Sequence, residues 1–232
     1  MNIKQNINYF KISDKFSRAS VLVLGGGVIA MLLAFFGLAR FVGFMLAGVL
    51  LPVGFVMYLI STTQRATDED IRVQIEQATT DMEVDLSKNT RYQRRIVTGK
   101  EPRVLSGFDY DDGLMFTKTS RTSDIISSSY TKALLYQLKD AFYIVRRKIS
   151  LVSEDIVNEV IEIPFVNISS ITYVTEKKTV TFRNKSYEVE VARIEIKYEE
   201  NKVIYFPIAK DVEAEGYTEK LYKSVLSARE NV

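Results

Sequence analysis

An uninterrupted apolar run near the start of the chain is the strongest pattern in the sequence. Residues 19–61 contain a single charged residue, Arg40. As one helix this run would be about 65 Å long, whereas the hydrocarbon core of a bilayer is ~30 Å thick. Two helices over about 20–38 and 43–61 would each fit one crossing, and Arg40 then falls in the aqueous turn between them. The pattern predicts a transmembrane helical hairpin over 19–61.

Two other interpretations of this run remain open. Basic residues before the run and the triplet Gly37-Leu38-Ala39 are also typical of a cleaved signal peptide. Against cleavage, the apolar region is longer than that of a signal peptide and a second apolar run follows directly. The other alternative is a pair of buried helices in a soluble protein, but neither run has a polar face to turn toward water. We therefore expect the membrane hairpin.

Small residues recur along both predicted spans. They are Gly26, Ala30 and Ala34 in the first span and Gly43, Ala47 and Gly48 in the second. Small side chains at this spacing let helix backbones approach closely. We expect them to pack the two helices of one hairpin together, with association between copies as the alternative. Neither span contains an ionisable side chain, which argues against a proton relay or an ion-coupled transporter.

Basic residues predict the orientation of the hairpin. The tail over residues 1–18 carries four Lys or Arg and one Asp. The turn has only Arg40, and the residues after the second span add Arg65 and Arg72. By the positive-inside rule both termini then lie in the cytoplasm, at the inner (cytoplasmic) membrane, with a short external turn. Residues 62–232 would be cytoplasmic.

Helical periodicity returns after the hairpin, in an acidic segment over 62–90. Its apolar positions are Ile71, Ile75, Ala78, Met82 and Leu86. Thr67 and Asp70 resemble a capping box, so a helix is predicted over about 68–88. We expect its apolar stripe to pack on the chain's own cytoplasmic domain; a self-associating stalk is the alternative.

Residues 91–129 are predicted to form a linker that contains a β-hairpin. The basic stretch TRYQRRIVTGKEPR is punctuated by Gly99 and Pro102, as is typical of an exposed loop. Its basic side chains are expected to be solvated or to pair with the acidic helix, with contact to anionic lipid as the alternative. Asp112-Gly113 lies between two β-prone runs and predicts the hairpin. The aspartates around it do not fit an EF-hand calcium loop.

From about residue 130 the pattern changes to short runs rich in β-branched and aromatic residues. The runs are TKALLYQL, AFYIVRRKISLVS, NEVIEIPFVNISSITYV, TVTFRN, SYEVEVARIEIKYE and KVIYFPIA. Their close spacing, without intervening helices, predicts an antiparallel sheet that bends over or closes. A slip in the alternation near Ala192 predicts a β-bulge. A C-terminal amphipathic helix is predicted to begin at Asp211 as its N-cap.

Several of these segments resemble the bacterial pleckstrin-homology-like (PH-like) domains. They are AFYIVRRKISLVSED, EIPFVNISSITYV and RIEIKYEENKVIYFPIA, followed by the final helix. Ile163-Pro164 with Ile168 and Ile171 matches the IP-x-x-x-I-x-x-I strand of those families. A two-span hairpin before such a domain is similar to the YcxB-like arrangement. The resemblance implies an α+β membrane protein whose residues 130–232 form a cytoplasmic antiparallel PH-like β-barrel or sandwich with a C-terminal helix.

The resemblance also implies candidate contacts to an anionic head group. In eukaryotic relatives the first hairpin of the fold carries basic residues that hold phosphoinositides. Arg146, Arg147 and Lys148 occupy a corresponding place. Lys177 and Lys178 form a second basic cluster, and such side chains bind phosphate through charge-assisted hydrogen bonds. The alternative, which we favour, is ordinary charge on an exposed strand face.

Composition excludes several classes of activity. The 232-residue chain carries a net charge of +2 and has no Cys, His or Trp. It therefore has no disulfide and lacks the commonest general base, the thiol nucleophile and the usual zinc ligands. No glycine-rich phosphate loop or nucleophile elbow is present. We expect no catalytic residue, no metal and no cofactor, and the alternating charge blocks argue against nucleic acid as a partner.

Two non-enzymatic functions fit these patterns. The favoured one is a membrane-anchored interaction or scaffold module, whose PH-like barrel binds a protein partner or associates with further copies of itself. Edge strands of a small antiparallel barrel suit such contacts. The alternative is an oligomeric membrane effector or channel subunit whose cytoplasmic domain senses a signal. Both functions require the lipid bilayer as a partner.

Overall fold

The structure is a computed structural model that describes most of the chain. It covers residues 2–11, 14–37, 40–63, 65–97, 101–111, 113–119, 122–182, 184–200, 202–208 and 212–230. The chain divides into two compact units, Met1–Ile71 and Arg72–Val232. Asp112 and Asp211, which were predicted to form a turn and an N-cap, lie outside the described residues.

Two long apolar helices dominate the first unit. A short helix α1 (Ile3–Lys11) precedes α2 (Asp14–Phe35) and α3 (Arg40–Thr63). The segments Arg18–Phe35 and Arg40–Ser61 are long and apolar enough to cross a membrane, and most of their side chains are exposed in the isolated chain. The structure thus agrees with the prediction of two apolar N-terminal helices. It starts α2 within the predicted tail and makes Arg40 the first residue of α3.

The end of α3 is tied to α1 through a short connection. The hydroxyl of Tyr9 donates a hydrogen bond of 2.6 Å to Oδ1 of Asp68. The guanidinium of Arg65 lies 5.5 Å from the centre of the Tyr9 ring, and the N–H of Ala66 donates to the carbonyl of Gln5. Residues Ile3–Lys11 of the predicted basic tail thus form a helix that packs on the residues entering the next helix.

The fourth helix, α4 (Asp68–Thr79), begins at the predicted capping box. Oδ2 of Asp70 accepts from the N–H of Thr67 at 2.8 Å and from its hydroxyl at 2.7 Å. In return, the N–H of Asp70 donates to Oγ1 of Thr67 at 3.2 Å. These reciprocal bonds satisfy donors that a helix start leaves without an intrahelical partner, so the prediction of this helix start is confirmed.

The predicted end of this helix at about residue 88 is wrong. The hydroxyls of Thr79 and Thr80 both donate to the carbonyl of Glu76, a local alternative to the backbone ladder that weakens a helix. The chain continues as 3-10 turns over Thr80–Met82 and Leu86–Lys88 and as the one-turn helix α5 (Thr90–Gln93). Leu86 packs with Tyr92, Leu138 and Ala141, as expected for a stripe that covers the chain's own domain.

The second unit contains nine strands and a C-terminal helix within its described residues. The strands are β1 (Arg103–Phe108), β2 (Phe116–Lys118), β3 (Ile125–Ser127), β4 (Ser129–Gln137), β5 (Ala141–Ser150), β6 (Ile156–Pro164), β7 (Ile168–Phe182), β8 (Lys185–Tyr198) and β9 (Lys202–Ile208). They form antiparallel sheets in the orders β1-β4-β5-β6, β7-β8-β9 and β2-β3. The final helix is α6 (Val212–Glu230).

One apolar core lies between the two larger sheets and α6. Alternate residues of each strand point inward, among them Phe142 and Ile144 of β5 and Ile194 and Ile196 of β8. Leu221 and Val225 of α6 complete the core. The order of the two sheets and the terminal helix agrees with the predicted α+β class.

Two sequence-based expectations about strand pairing are wrong. The runs on either side of Asp112-Gly113 do not pair with each other, because β1 pairs with β4 and β2 pairs with β3. The pairing of β1 with β4 places Leu105 in the main core. This burial depends on residues far away in sequence, so the local turn signal at Asp112-Gly113 does not indicate it. The register irregularity lies in β7, between Ile168 and Ser170, whereas the pairing of β8 runs without interruption through Ala192.

The basic stretch after α4 also has unexpected partners. Arg91 pairs with Glu162 of β6 at 3.0 Å. Arg95 pairs with Asp140 at 2.8 Å and with Glu162 at 2.7 Å. The partners are thus carboxylates of β6 and of the β4–β5 turn rather than of the acidic helix. Side-chain hydrogen bonds to Asp140 and then Glu162 raise the pKa of Arg95, although its burial acts in the opposite direction.

Candidate functional site

A cleft of about 450 Å³ is lined by residues of β4, β5 and β6 from the four-stranded sheet and of β8 and β9 from the three-stranded sheet. Its walls are formed by the ends of both larger sheets, which belong to the same compact unit. Lining residues include Asp109, Arg146, Lys148, Val157, Glu159 and Tyr205. Charged side chains from strands far apart in sequence thus meet at one end of the core.

Asp109 is the most buried charged residue of the cleft, with 4% of its surface exposed. It follows β1 directly, and its Oδ2 accepts hydrogen bonds from the hydroxyls of Ser129 at 3.1 Å and Thr131 at 2.8 Å. Nζ of Lys148 lies 3.5 Å from the same oxygen. Two hydroxyl donors and one ammonium group therefore compensate the cost of burying this carboxylate.

Arg146 and Glu159 form a directly opposed cross-strand pair. They are partners in the β5–β6 register. Nε of Arg146 donates to Oε2 of Glu159 at 2.8 Å, and a second guanidinium nitrogen contacts the same oxygen. Opposite charges at facing positions of an antiparallel pair stabilise the register.

Asp111 connects the cleft to the second sheet. Its carboxylate lies 3.8 Å from Nζ of Lys148 and 3.4 Å from Nζ of Lys178. The hydroxyl of Tyr205 donates to its Oδ2 at 3.3 Å. Partial burial and then the negative charge of Asp111 raise the pKa of Tyr205.

The contacts continue along β7 and β8. Oε1 of Glu176 accepts from Arg193 at 2.8 Å and lies 3.6 Å from Nζ of Lys178. Arg193 also donates to Glu195 at 2.7 Å, and its guanidinium lies 5.6 Å from the centre of the Tyr205 ring. We call the nine charged members of this arrangement the charge network: Asp109, Asp111, Arg146, Lys148, Glu159, Glu176, Lys178, Arg193 and Glu195.

The charge network is nearly neutral, because its five carboxylates face four cations. Every cation in it has a carboxylate within 4 Å, so an incoming anion would have to displace an existing partner. In the part of the chain that the structure describes, no group of three or more Asp or Glu is arranged to hold a metal ion. The charge network is therefore better suited to linking the two sheets than to binding a small anion.

The five basic residues with predicted head-group contacts do not form one patch. Arg146, Lys148 and Lys178 belong to the charge network. Arg147 lies on the opposite face of β5, since successive strand residues alternate, and Lys177 pairs with Glu188 on the exposed side of β7 at 3.8 Å. Residues adjacent in the sequence of a strand point to opposite faces, so Arg147 is separated from Arg146 and Lys148, and Lys177 from Lys178.

Arg147 instead holds the end of α4 against the sheet. Its Nη1 donates to the carbonyl of Ala78 at 2.6 Å and contacts the carboxylate of Asp81, and its Nε donates to Asn158 at 2.6 Å. Hydrogen bonding to Arg147, followed by the attraction of its charge, lowers the pKa of Asp81. A cation at a helix C terminus also interacts favourably with the helix dipole.

The small residues of the hairpin lie mainly where α2 meets α3. Ala30, Ala34, Gly43 and Ala47 are buried there, and a Cβ on Gly26 would stand 3.9 Å from Leu50. Gly48 is exposed, with nothing within 4 Å of an added Cβ. Two further glycines approach the facing helix closely: an added Cβ would stand 2.9 Å from the side chain of Leu51 at Gly27 and 2.8 Å from the backbone nitrogen of Leu24 at Gly54.

A comparison of the chain with models of protein families, with curated proteins and with solved structures finds no match. The resemblance to bacterial PH-like domains and to the YcxB-like arrangement therefore stays a prediction. It rests on the motifs of β5 to β9 and on the order of the elements.

Proposed function

We propose that the chain is a non-enzymatic interaction module that the α2–α3 hairpin holds on the cytoplasmic side of a membrane. In this proposal both helices cross the bilayer and both termini are cytoplasmic. Large apolar side chains such as Leu22, Phe36 and Phe41 are mostly exposed in the isolated chain, and hydrocarbon is the solvent that suits them. The four basic residues within residues 1–18, at the N-terminal side of the first apolar run, support the orientation.

The arrangement of the second unit supports the proposal of a PH-like fold. A four-stranded antiparallel sheet precedes a three-stranded one, and α6 ends the chain. The β2–β3 hairpin would then be an insertion between the first two strands of the fold. Because a fold of this kind hosts unrelated functions, its surfaces must carry the functional proposal.

The observation that carries the proposal is the free outer edge of β6. Among the described strands, β5 is the one that pairs with β6. Ile156, Val157 and Val160 of this edge are about half exposed. An exposed apolar edge strand is a template on which another strand can form main-chain hydrogen bonds. We propose that a protein partner binds here by adding a strand.

The near-neutral charge network favours a polypeptide over an anionic small molecule. A strand that adds to β6 leaves the ion pairs of the network intact, whereas a phosphate group would compete with their carboxylates. The effector alternative draws on small residues for contacts between hairpins and on the amphipathic stalk. Most of those small residues are used inside one hairpin, and Leu86 of the stalk stripe packs on residues of the same chain, so neither feature favours that alternative.

A photo-crosslinking amino acid placed at Val160 of the full-length chain tests the proposed function. Illumination of native membranes should give a covalent adduct that sediments with the membrane fraction. Val104 is the matched control position, because it is a similarly exposed valine on the opposite edge of the same sheet. Equal yields of adduct from both positions, or none from Val160, would contradict the proposal.

A further inference from the structure

A single row of apolar side chains crosses the four-stranded sheet from edge to edge. Val104 is the register partner of Leu134, Leu134 of Val145, and Val145 of Val160. Facing residues of antiparallel strands share a face of the sheet, so the four side chains lie side by side. Leu134 is 2% exposed, whereas Val104 and Val160 at the ends are 53% and 60% exposed. The row therefore ends in an uncovered valine on each edge.

The edges of the two larger sheets differ in how they are protected. β1 carries Arg103, whose guanidinium lies 4.0 Å from the ring centre of Tyr217 in α6. β9 contains Lys202 and Pro207, and proline lacks the N–H that strand pairing needs. β7 contains two lysines and the register irregularity near its start. Lysine, proline and bulges are the devices that keep edge strands from pairing with other chains.

β6 has none of these devices along its described length. Its sequence IVNEVIEIP contains no lysine or arginine, and its proline is the last residue. Its two charges, Glu159 and Glu162, are already paired with arginines of the same chain. Each face of this edge thus carries apolar side chains and one glutamate, and both glutamates are paired within the chain.

We propose that the partner of β6 is β6 of a second copy of this chain, paired antiparallel about a two-fold axis at Val160. This inference rests on the proposed function, since it names the partner that the β6 edge binds. In this register Val160 faces Val160 of the second copy, and the apolar row continues without a break across eight strands. The two sheets join into one.

The charged residues of β6 favour this register over registers whose two-fold axis is centred on Glu159, Ile161 or Glu162. With Val160 at the centre, Glu159 faces Ile161 of the second copy, and Glu162 faces Asn158, whose amide can donate to a carboxylate. Centring on Glu159 or Glu162 would place identical carboxylates opposite each other, which is destabilising. Centring on Ile161 would place Val160 opposite Glu162 and interrupt the apolar row.

Membrane anchoring explains how the pairing of one strand from each copy can be enough to form the dimer. Stable interfaces bury about 1,200–2,000 Å² in total, more than the pairing of single nine-residue strands is expected to cover. Two copies held in one bilayer meet at a raised effective concentration, which converts weak pairing into substantial occupancy. The dimer should therefore be populated in membranes and weaken on dilution into detergent.

The test uses cysteine substitutions in the full-length chain, which has no cysteine of its own. V160C should form a disulfide-linked homodimer when native membranes are oxidised, and a short-spacer bismaleimide covers pairs whose geometry disfavours a disulfide. V104C is the control for non-specific contact between apolar edges. N158C is the control for register, since residues 158 of the two copies would lie about 13 Å apart along the strands.

We expect several-fold more dimer from V160C than from V104C or N158C. No dimer from V160C, or equal amounts from all three variants, would overturn the inference. If Val160 instead crosslinks to a different protein and V160C gives no homodimer, the second copy is excluded and the proposed function stands. If Val160 gives no adduct of any kind, both fail.

Discussion

Gly43 of α3 lies so close to Ala34 of α2 that a Cβ on the glycine would stand 2.8 Å from the Cβ of the alanine. It would also stand 2.8 Å from the carbonyl oxygen of Ala30. Both distances are well below ordinary van der Waals contact, and backbone atoms of α2 contribute to the obstacle. The close approach of the two helices thus depends on the absence of a side chain at this position.

G43A should therefore destabilise the hairpin by about 1–3 kcal/mol, the usual cost of overpacking a close contact. G48A on the same helix is the matched control, because nothing lies within 4 Å of its added Cβ. Thermal unfolding of the detergent-solubilised full chain, followed by circular dichroism, gives the comparison. A G43A melting temperature equal to that of G48A would show that the helices do not pack through Gly43.

The helix start at Thr67 gives a second prediction. T67A removes the hydroxyl that caps the N–H of Asp70 and donates to its carboxylate. The loss should be about 0.5–2 kcal/mol of local helix stability. Amide hydrogen exchange in the first turn of α4 should accelerate accordingly, while T67S retains the hydroxyl and should exchange like the parent chain. Equal exchange in T67A and T67S would contradict a capping role.

The same cap predicts a dependence on pH. Hydrogen bonds from the backbone N–H and then from the hydroxyl of Thr67 lower the pKa of Asp70. Because the folded pKa lies below the unfolded one, the stabilisation is present above the unfolded pKa. It is lost as pH falls through the folded pKa. The protection of the first turn of α4 should therefore decrease in acid, and D70N should remove that decrease.

The elements that the sequence predicted correctly depend on local information. The apolar helices follow from composition alone, and the cap follows from two residues three positions apart, Thr67 and Asp70. The strands follow from alternation over a few residues. Where the predicted strand pairing was wrong, at Asp112-Gly113, the deciding contact was remote: Leu105 enters a core that residues of β4 to β9 build.

The cleft was not predictable for the same reason. The carboxylate of Asp111 meets Tyr205, which lies 94 positions further along the chain, and no spacing rule connects the two. The basic residues Arg146 and Lys148 were identified, but their carboxylate partners Asp109 and Glu159 were not. Sequence motifs identify the basic residues, but they do not indicate which distant carboxylates pair with them in the folded chain.

Alanine substitutions at two glycines of the second unit, Gly107 in β1 and Gly216 in α6, should change its stability in opposite directions. A Cβ on Gly107 would stand 2.9 Å from the carbonyl carbon of Pro207, so two backbones meet there without room for a side chain. G107A should lower the stability of the second unit by about 1–3 kcal/mol. G216A in α6 should raise it by up to about 1 kcal/mol, because that position is exposed, unobstructed and helical.

Thermal unfolding of the full chain distinguishes these outcomes. For a unit of this size a change of 1 kcal/mol moves the melting temperature by roughly 2–4 °C. The G107A transition should shift down and the G216A transition up. A G107A melting temperature at or above that of the parent chain would show that β1 and β9 are farther apart than the structure places them.

Tyr110 anchors the segment between β1 and β2 and predicts a loss of stability in alkali. Its hydroxyl donates to the carbonyl of Ile125 at 2.7 Å, and its ring stacks on Phe116. Burial, with a smaller contribution from the charge of Asp124, raises the pKa of Tyr110 to about 12. The unfolded phenol ionises near pH ~10, so the free energy of unfolding should fall as pH rises from about 10 toward 12.

Y110F removes the ionisable group and keeps the ring. It should cost about 1 kcal/mol at neutral pH, the usual value of one hydrogen bond, and should be less sensitive to alkali than the parent chain. Thermal unfolding of both proteins at about pH 8 and about pH 11 measures the difference between them. The parent chain should lose about 1.4 kcal/mol more than Y110F between the two conditions. Parallel losses in both proteins would mean that Tyr110 titrates as an exposed phenol and that β2–β3 does not cover it.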